Sequence, residues 1–348
     1  MSAEIKEWQP LTLIKVTAQF LASKDIVSPR LDAEVLLAAV LDCSRLDLYA
    51  QKSATALTAA QLTAYREFIR RRADREPVSR ILGKKEFMNY EFAVGPAVLS
   101  PRPETEILVE QTLRLLSPAP KVKKSAAVFQ ALDLQVREFL VKQTDVERGG
   151  VLPQELLNSL DATEVKAIAD APPFAAPRIL DLGCGSGCVA IALAKKIPAA
   201  QITAVDISPA ALALARQNAE HLGVGEQIKW ALGDWFGALS VGEKFDVIAA
   251  NPPYVARAEE LPPEVKNYDP PLALFGGDDG LDAYRAIVAR ADEFLAPDGC
   301  LLFEVGAGQA PAVSALIKQK FPAAALELTP DYAGIERVVT AKIPVVAG

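Results

Sequence analysis

Histidine is almost missing from this chain of 348 residues, with His221 standing alone. That argues against Ser-His-Asp and Cys-His catalysis and against histidine-rich metal sites. Cysteine is scarce as well. Cys43, Cys184, Cys188 and Cys300 form no C-x-x-C pair, so no zinc or other metal site is expected. Scattered free thiols suit a reducing compartment, and a cytoplasmic location is expected. There is no run of 18 or more apolar residues, which speaks against a membrane span. Met1 to Lys6 lack the basic-then-apolar pattern of a signal segment. Basic residues are outnumbered, 37 against 44 acidic, for a formal net charge of −7. An acidic chain is repelled by a phosphate backbone unless its cations gather on one face, so no direct nucleic-acid contact is expected. What is plentiful is apolar residues, 51% of the chain, enough for a sizeable core. The length suggests one large domain and a smaller one.

The order of the chain supports that division. Residues 1–76 read as a helical unit. Ser28-Pro29 offers an N-cap followed by proline at the first helical position, and Leu31 to Leu41 carries apolar residues at helical spacing. Thr58-x-x-Gln61 predicts a capping box for a helix that ends at Arg70, Arg71, Arg72 and Arg75. Those arginines read as a solvated helix end, or as a docking patch for an acidic partner. Residues 77–100, with Gly83, Gly95 and short alternating runs from Phe87 to Val94, predict a β-hairpin linker. Residues 101–348 form the large domain, opening with a helix from Pro103 to near Pro118. Residues 118–176 interrupt it as a helical insertion, with helix-like stretches near 126–143 and 153–170. From residue 178 strands and helices alternate. Strands are expected at 179–182, 202–207, 228–232, 245–250, 300–305, 326–329 and 338–342, with helices at 187–196, 209–222 and 282–295. This rhythm predicts an α/β fold with a doubly wound, mostly parallel sheet of seven strands.

Four short segments carry the chemistry. Asp181-Leu182-Gly183-Cys184-Gly185-Ser186-Gly187 follows the first strand of the large domain and opens a helix. Such a loop lets a ligand approach the backbone at the carboxyl end of the sheet. Its G-x-G-x-G form, preceded by an aspartate, favours S-adenosylmethionine over a dinucleotide, for which G-x-G-x-x-G is expected. Asp206 ends the next strand, roughly 20 residues on, where a carboxylate can accept both hydroxyls of a ribose. The plainer alternative is an N-cap carboxylate for the helix that starts at Pro209, and the two roles can coexist. Trp235, in Gly233-Asp234-Trp235-Phe236, could stack on the adenine or simply pack. The fourth segment, Asn251-Pro252-Pro253-Tyr254, ends the fourth strand. The asparagine oxygen can accept a hydrogen from a substrate –NH2. Prolines lack N–H groups, so carbonyls of the turn are free to accept the other hydrogen. Tyr254 offers a flat surface for a planar amide or base. An amide nitrogen is a poor nucleophile because its lone pair is delocalised, so holding both hydrogens favours a lone pair aimed at the methyl group. A sulfonium is already an activated donor, and the chemistry calls for neither a metal nor a histidine.

Together these segments resemble the glutamine-N5 methyltransferases of peptide chain release factors, also called the HemK proteins. Arg75-Glu76-Pro77, Ile81-x-Gly83 and Ser100-Pro101-Arg102-Pro103-Glu104-Thr105-Glu106 match, as do the glycine loop, Asp206, Asp234-Trp235-Phe236 and Asn251-Pro252-Pro253-Tyr254. So do Gly280-Leu281-Asp282-x-Tyr284-Arg285, Phe303-Glu304-Val305-Gly306-x-x-Gln309, and Asp331 with Gly334 and Arg337. The resemblance implies a Rossmann-like class I methyltransferase fold and an N-terminal helical bundle that helps dock the release factor. It implies a donor site at Asp181, Gly183, Cys184, Gly185, Ser186, Gly187, Asp206, Trp235 and Asn251. The catalytic residues would be Asn251, Pro252 and Tyr254, and the substrate glutamine, from a Gly-Gly-Gln tip, would lie against Asn251 to Tyr254. The product would be S-adenosylhomocysteine and the active unit a monomer. Ser79-Arg80 and Ser100 depart from the usual pattern, outside the chemistry. Three rival readings remain: binding of S-adenosylmethionine without turnover, glutamine methylation of a ribosomal protein, and adenine-N6 methylation of a nucleic acid. The last needs a basic surface and base extraction.

Overall fold

The structure, a computed structural model, describes residues 8–50, 56–116 and 176–344. The helical pair expected at 126–143 and 153–170 lies outside the described residues.

The N-terminal unit is built from α1 (Pro10–Ala22), α2 (Pro29–Leu41), α3 (Ala59–Ala73) and the short α4 (Val78–Leu82). Proline occupies the start of α1 and α2, where a missing N–H costs nothing. Ser28 stands at the N-cap of α2, though its hydroxyl makes no capping bond. The capping box of α3 is complete: the Gln61 N–H donates to Thr58 Oγ1 at 3.2 Å, and the Thr58 N–H donates to Gln61 Oε1 at 2.9 Å. Leu21, Leu36, Leu37, Leu48 and Tyr65 meet in one apolar core, which Ile81 of α4 joins. The buried Tyr65 hydroxyl donates to Ala33 O at 3.0 Å.

Most of the arginine run is turned inward rather than solvated. Arg72 is buried, bonding Asp32 of α2 at 2.7 Å and Glu264 at 3.4 Å. Arg75 bonds Glu264 at 3.1 Å, and Arg71 bonds Glu76. Arg70, which pairs with Glu67 and Asp74, is the one of the four that stays exposed. Glu264 belongs to α8 (Pro263–Tyr268) of the large domain, so these cations clamp the two units together.

A hairpin of β1 (Lys84–Phe87) and β2 (Tyr90–Ala93) follows. Its two turn residues, Met88 and Asn89, have φ of 51° and 63°, which matches the right-handed strand twist. The hairpin lies on α7 (Pro209–His221), where the Ala93 N–H donates to Asn218 Oδ1 at 2.8 Å. The same buried amide donates to Ala93 O and to Ser186 O, tying the hairpin to the glycine loop.

The large domain opens with α5 (Pro103–Leu116) and then builds its sheet. The strands are β3 (Arg178–Leu182), β4 (Gln201–Asp206), β5 (Ile228–Leu232), β6 (Phe245–Ala250), β7 (Leu295–Glu304), β8 (Ala325–Pro330) and β9 (Glu336–Lys342). Their order is β5-β4-β3-β6-β7-β9-β8, parallel except for β9, which runs antiparallel to both neighbours. The seven-stranded, mostly parallel sheet expected from the sequence is therefore present. Alternate residues feed the two faces. Ile179, Val247 and Leu302 pack under α5, α6 (Cys188–Lys196) and α7. Leu180, Ile248 and Phe303 pack under α10 (Asp282–Phe294) and α11 (Ala310–Lys320). The chain winds outward from β3 to β5, then returns to β6. The β3–β6 boundary is thus the topological switch point, where a crevice opens at the carboxyl ends of the strands. Among the described residues no helix is long and apolar enough to cross a membrane.

Candidate active site

Sheet register explains how the sequence motifs come together. Leu182 pairs with Ala250 across β3 and β6. The next residues, Gly183 and Asn251, therefore leave adjacent strands about 4.8 Å apart, one strand spacing. Asp206 ends β4 on the other side of β3.

The glycine loop turns back on itself. Gly183, Gly185 and Gly187 have φ of 73°, 54° and 78°, a region that side chains strain. The N–H groups of Gly183 and Cys184 both donate to Val205 O, at 2.8 and 3.0 Å. Gly187 is the tightest of the three, since a Cβ there would sit 3.0–3.1 Å from Ile191, Ala215 and Trp230. Asp206 holds the loop from the side: Oδ2 accepts the Gly185 N–H and Oδ1 accepts the Ser208 N–H, each at 2.8 Å. The cap of α7 is Ser208, whose hydroxyl accepts the Ala211 N–H at 3.2 Å, so Asp206 is not the capping residue. A carboxylate has about four lone-pair directions, and two on Asp206 remain for a ligand.

Asp181 lies under the loop, 2% exposed, and Oδ2 accepts the Ala190 N–H at 3.1 Å. Burial, helped by the nearby Asp206 charge, pushes its carboxyl up to about 7. Burial also pushes the Cys184 thiol up and the Cys188 thiol up to about 12, so both stay neutral. Among the described residues no group of three or more histidine, cysteine or acidic side chains could hold a metal ion.

These segments enclose a cavity of about 420 Å³. Asp181, Gly183, Cys184, Gly185, Ser186, Asp206, Trp235, Asn251 and Pro253 all line it. Gly187, Pro252 and Tyr254 do not. Gly187 shapes the loop from below, and the Tyr254 ring packs against Gly306 while its carbonyl accepts from Gln309 Nε2 at 2.9 Å. Burial, then the neighbouring Glu304, lifts the Tyr254 phenol to about 12. Trp235 has a φ of 45°, rare for a bulky residue, and its ring lies 3.6 Å from where a Gly183 Cβ would stand. That conformation brings a flat apolar side chain to the glycine loop.

Asn251 is held from behind. Its Nδ2 donates to Thr105 Oγ1 at 3.1 Å. Thr105, in the first turn of α5, also lines the cavity. Glu304, the last residue of β7, is 2% exposed and lies beside Thr105 and Asn251. The far wall comes from Pro270 to Phe275, around the short α9 (Pro271–Leu274), which Asp269 anchors. The buried Asp269 carboxylate bonds Arg80 at 3.1 Å and Arg102 at 2.8 Å, so one acidic side chain joins the helical unit, the start of α5 and the cavity wall. The resemblance drew attention to segments holding Thr105, Arg102 and Glu304 without giving them roles. A carboxylate at the end of the apolar run Cys300 to Phe303 is the signal that marks Glu304.

Comparison with known proteins followed the same lines. Residues 12–83 match the PrmC N-terminal domain, and residues 165–267 match the methyltransferase small domain. The chain is 36% identical over 345 residues to a release factor glutamine methyltransferase of Geobacter sulfurreducens, covering 99% of this chain and 100% of that protein. It is 34% identical over 339 residues to one of Chlorobaculum tepidum, covering 96% and 97%. It is 36% identical over 328 residues to one of Cereibacter sphaeroides, covering 93% and 95%.

Proposed function

Since the chain belongs to the release factor glutamine methyltransferases, we propose that it moves a methyl group from S-adenosylmethionine to the side-chain amide nitrogen (N5) of the glutamine in a release factor's Gly-Gly-Gln motif. The observation that carries this reading is the seat of Asn251. It stands one strand from the glycine loop with its amide nitrogen engaged by Thr105, which leaves Oδ1 as an acceptor.

S-adenosylmethionine supplies a methyl group already activated on a sulfonium. The residues present fit that molecule. Gly183 to Ser186 offer backbone close to the cavity, Asp206 keeps lone pairs for a pair of hydroxyls, and Trp235 gives a flat face. Asp181 and Gly187 act from underneath, shaping the loop. For the substrate, Asn251 Oδ1 accepts one amide hydrogen and a backbone carbonyl of the Asn251–Pro252 step accepts the other. Further along, Tyr254 O already accepts from Gln309, and Pro253 O faces Gly276. Fixing both hydrogens sets the plane of the –NH2 group and so the direction of its lone pair, and positioning of this kind supplies much of a rate. Pro252 and Pro253 stiffen the turn, and Tyr254 backs it.

The helical unit docks the release factor, the hairpin links it, and the domain from residue 101 carries the transfer. The active unit is a monomer in this reading, and a substrate of translation puts the reaction in the cytoplasm. The test is transfer of labelled methyl from the donor to a purified release factor. Label on the intact tip, and none when the tip glutamine is replaced by glutamate, is the expected result. Equal labelling of both tips, or transfer to duplex DNA or a ribosomal protein instead, would overturn the reading.

A further inference from the structure

The two ends of an asparagine amide, oxygen and NH2, have nearly the same shape, so packing alone does not decide which end faces a ligand. The polar groups behind it do. At Asn251 those groups arrive from three distant parts of the chain. Thr105 comes from the first turn of α5, Asn251 from the end of β6 and Glu304 from the end of β7. Thr105 and Glu304 are 3% and 2% exposed, so water does not compete for them. Asn251 Nδ2 donates to Thr105 Oγ1 at 3.1 Å, and the Glu304 carboxyl lies next to both side chains.

The inventory of hydrogens then gives the group a direction. An ionised carboxylate only accepts. The threonine hydroxyl has lone pairs, which receive a hydrogen from Nδ2, and one hydrogen, for which the neighbouring Glu304 carboxylate is the acceptor at hand. The nitrogen end of Asn251 is thereby held inward, and Oδ1 is its one acceptor left over. We propose that Thr105 and Glu304 are positioning residues that set the orientation of the Asn251 amide and so present its oxygen, not its NH2, to the substrate. This rests on the reading that Asn251 Oδ1 accepts a hydrogen from the glutamine amide.

A protonated Glu304 would undo that order. It gains a hydrogen to donate, Asn251 Oδ1 becomes a suitable acceptor for it, and the reversed amide would set NH2 against the substrate's own –NH2. The charged and titratable groups around the carboxyl are Glu104 of α5, Arg337 of β9, Tyr254, Tyr284 and the neutral thiol of Cys188 of α6. Burial dominates and lifts the Glu304 carboxyl to about 7; Glu104 adds to the rise, while the polar neighbours Thr105 and Asn251 and the Arg337 charge oppose it. Its Oε2 has no partner, so nothing further holds the charge there. The substrate amide itself does not titrate in this range.

The experiment is steady-state methyl transfer to a release factor across pH 6 to 9, with donor affinity measured separately by calorimetry. Thr105→Val keeps the shape and removes the hydroxyl, and Thr105→Ser keeps the hydroxyl. The valine variant should lose about tenfold or more in kcat, the scale of one buried hydrogen bond to a charged group, while donor Kd stays within about twofold. Thr105→Ser should recover most of that loss. Wild-type kcat should rise between about pH 6 and 8, and Glu304→Gln should flatten that rise. A valine variant with wild-type kcat, a serine variant as poor as valine, or an acidic limb that survives in Glu304→Gln would each overturn the proposal. A wild-type protein that methylates no glutamine would instead overturn the function on which it rests.

Discussion

Replacing Asp181 by asparagine isolates the energetic cost of keeping a carboxyl group under the glycine loop. The side chain is 2% exposed and has one hydrogen-bond donor, the Ala190 N–H. Burial raises its pKa from 3.8 to about 7 in the folded protein. The native state therefore holds this proton more tightly than the unfolded chain does. Its stabilising contribution is full below pH 3.8 and is lost as pH rises through about 7. At about 1.4 kcal/mol for each pH unit between those values, the whole loss is on the order of 4 kcal/mol. Rather more than half of it, about 2.5 kcal/mol, falls between pH 5 and pH 8. An asparagine keeps an acceptor for Ala190 and does not titrate. The variant should therefore gain on the wild type by that amount between pH 5 and pH 8. Urea unfolding of the donor-free protein at the two pH values measures it. A stability difference between variant and wild type that is the same at both would refute the assignment of a raised carboxyl to Asp181.

Three further substitutions bear on the site and its frame. Asn251→Ala should lower kcat by on the order of a hundredfold or more, as removal of one preorganised polar group does, with only a modest change in donor affinity; single-turnover transfer together with calorimetry reads both. Asp206→Ala should weaken donor binding by about 1–3 kcal/mol, because the Gly185 and Ser208 N–H groups also lose their acceptor; an unchanged dissociation constant would remove Asp206 from the donor site. Asp269→Ala should destabilise the fold by about 3–5 kcal/mol, since it strands Arg80 as a buried unpaired cation; chemical unfolding checks this, and the double change Arg80→Met with Asp269→Leu should be milder.

What the sequence displays well is whatever neighbours in the chain decide. The capping box of α3 needs only Thr58 and Gln61, and it forms as expected. Strands β3, β4 and β6 are buried on both faces, so they read as apolar runs and their bounds emerge within a residue or two. The start of β7 was hidden because Pro297, Asp298 and Gly299 break its apolar run, and the strand begins at Leu295 rather than Cys300. The five residues of α4 are too few to show a helical period behind Pro77. Arg72 and Arg75 looked like a solvated helix end because Glu264, which neutralises them, lies about 190 positions away. The candidate site divides in the same way. The glycine loop and the Asn251 turn are contiguous motifs, while the Thr105, Asn251 and Glu304 group exists only where α5, β6 and β7 converge.

The central claim concerns which atom receives the methyl group. Tandem mass spectrometry of a purified release factor, after incubation with this protein and S-adenosylmethionine, addresses it most directly. A single added methyl on the side-chain nitrogen of the Gly-Gly-Gln glutamine, missing when Asn251 is alanine, is the predicted spectrum. An unmodified tip, or a methyl on another residue that persists without Asn251, would contradict the account.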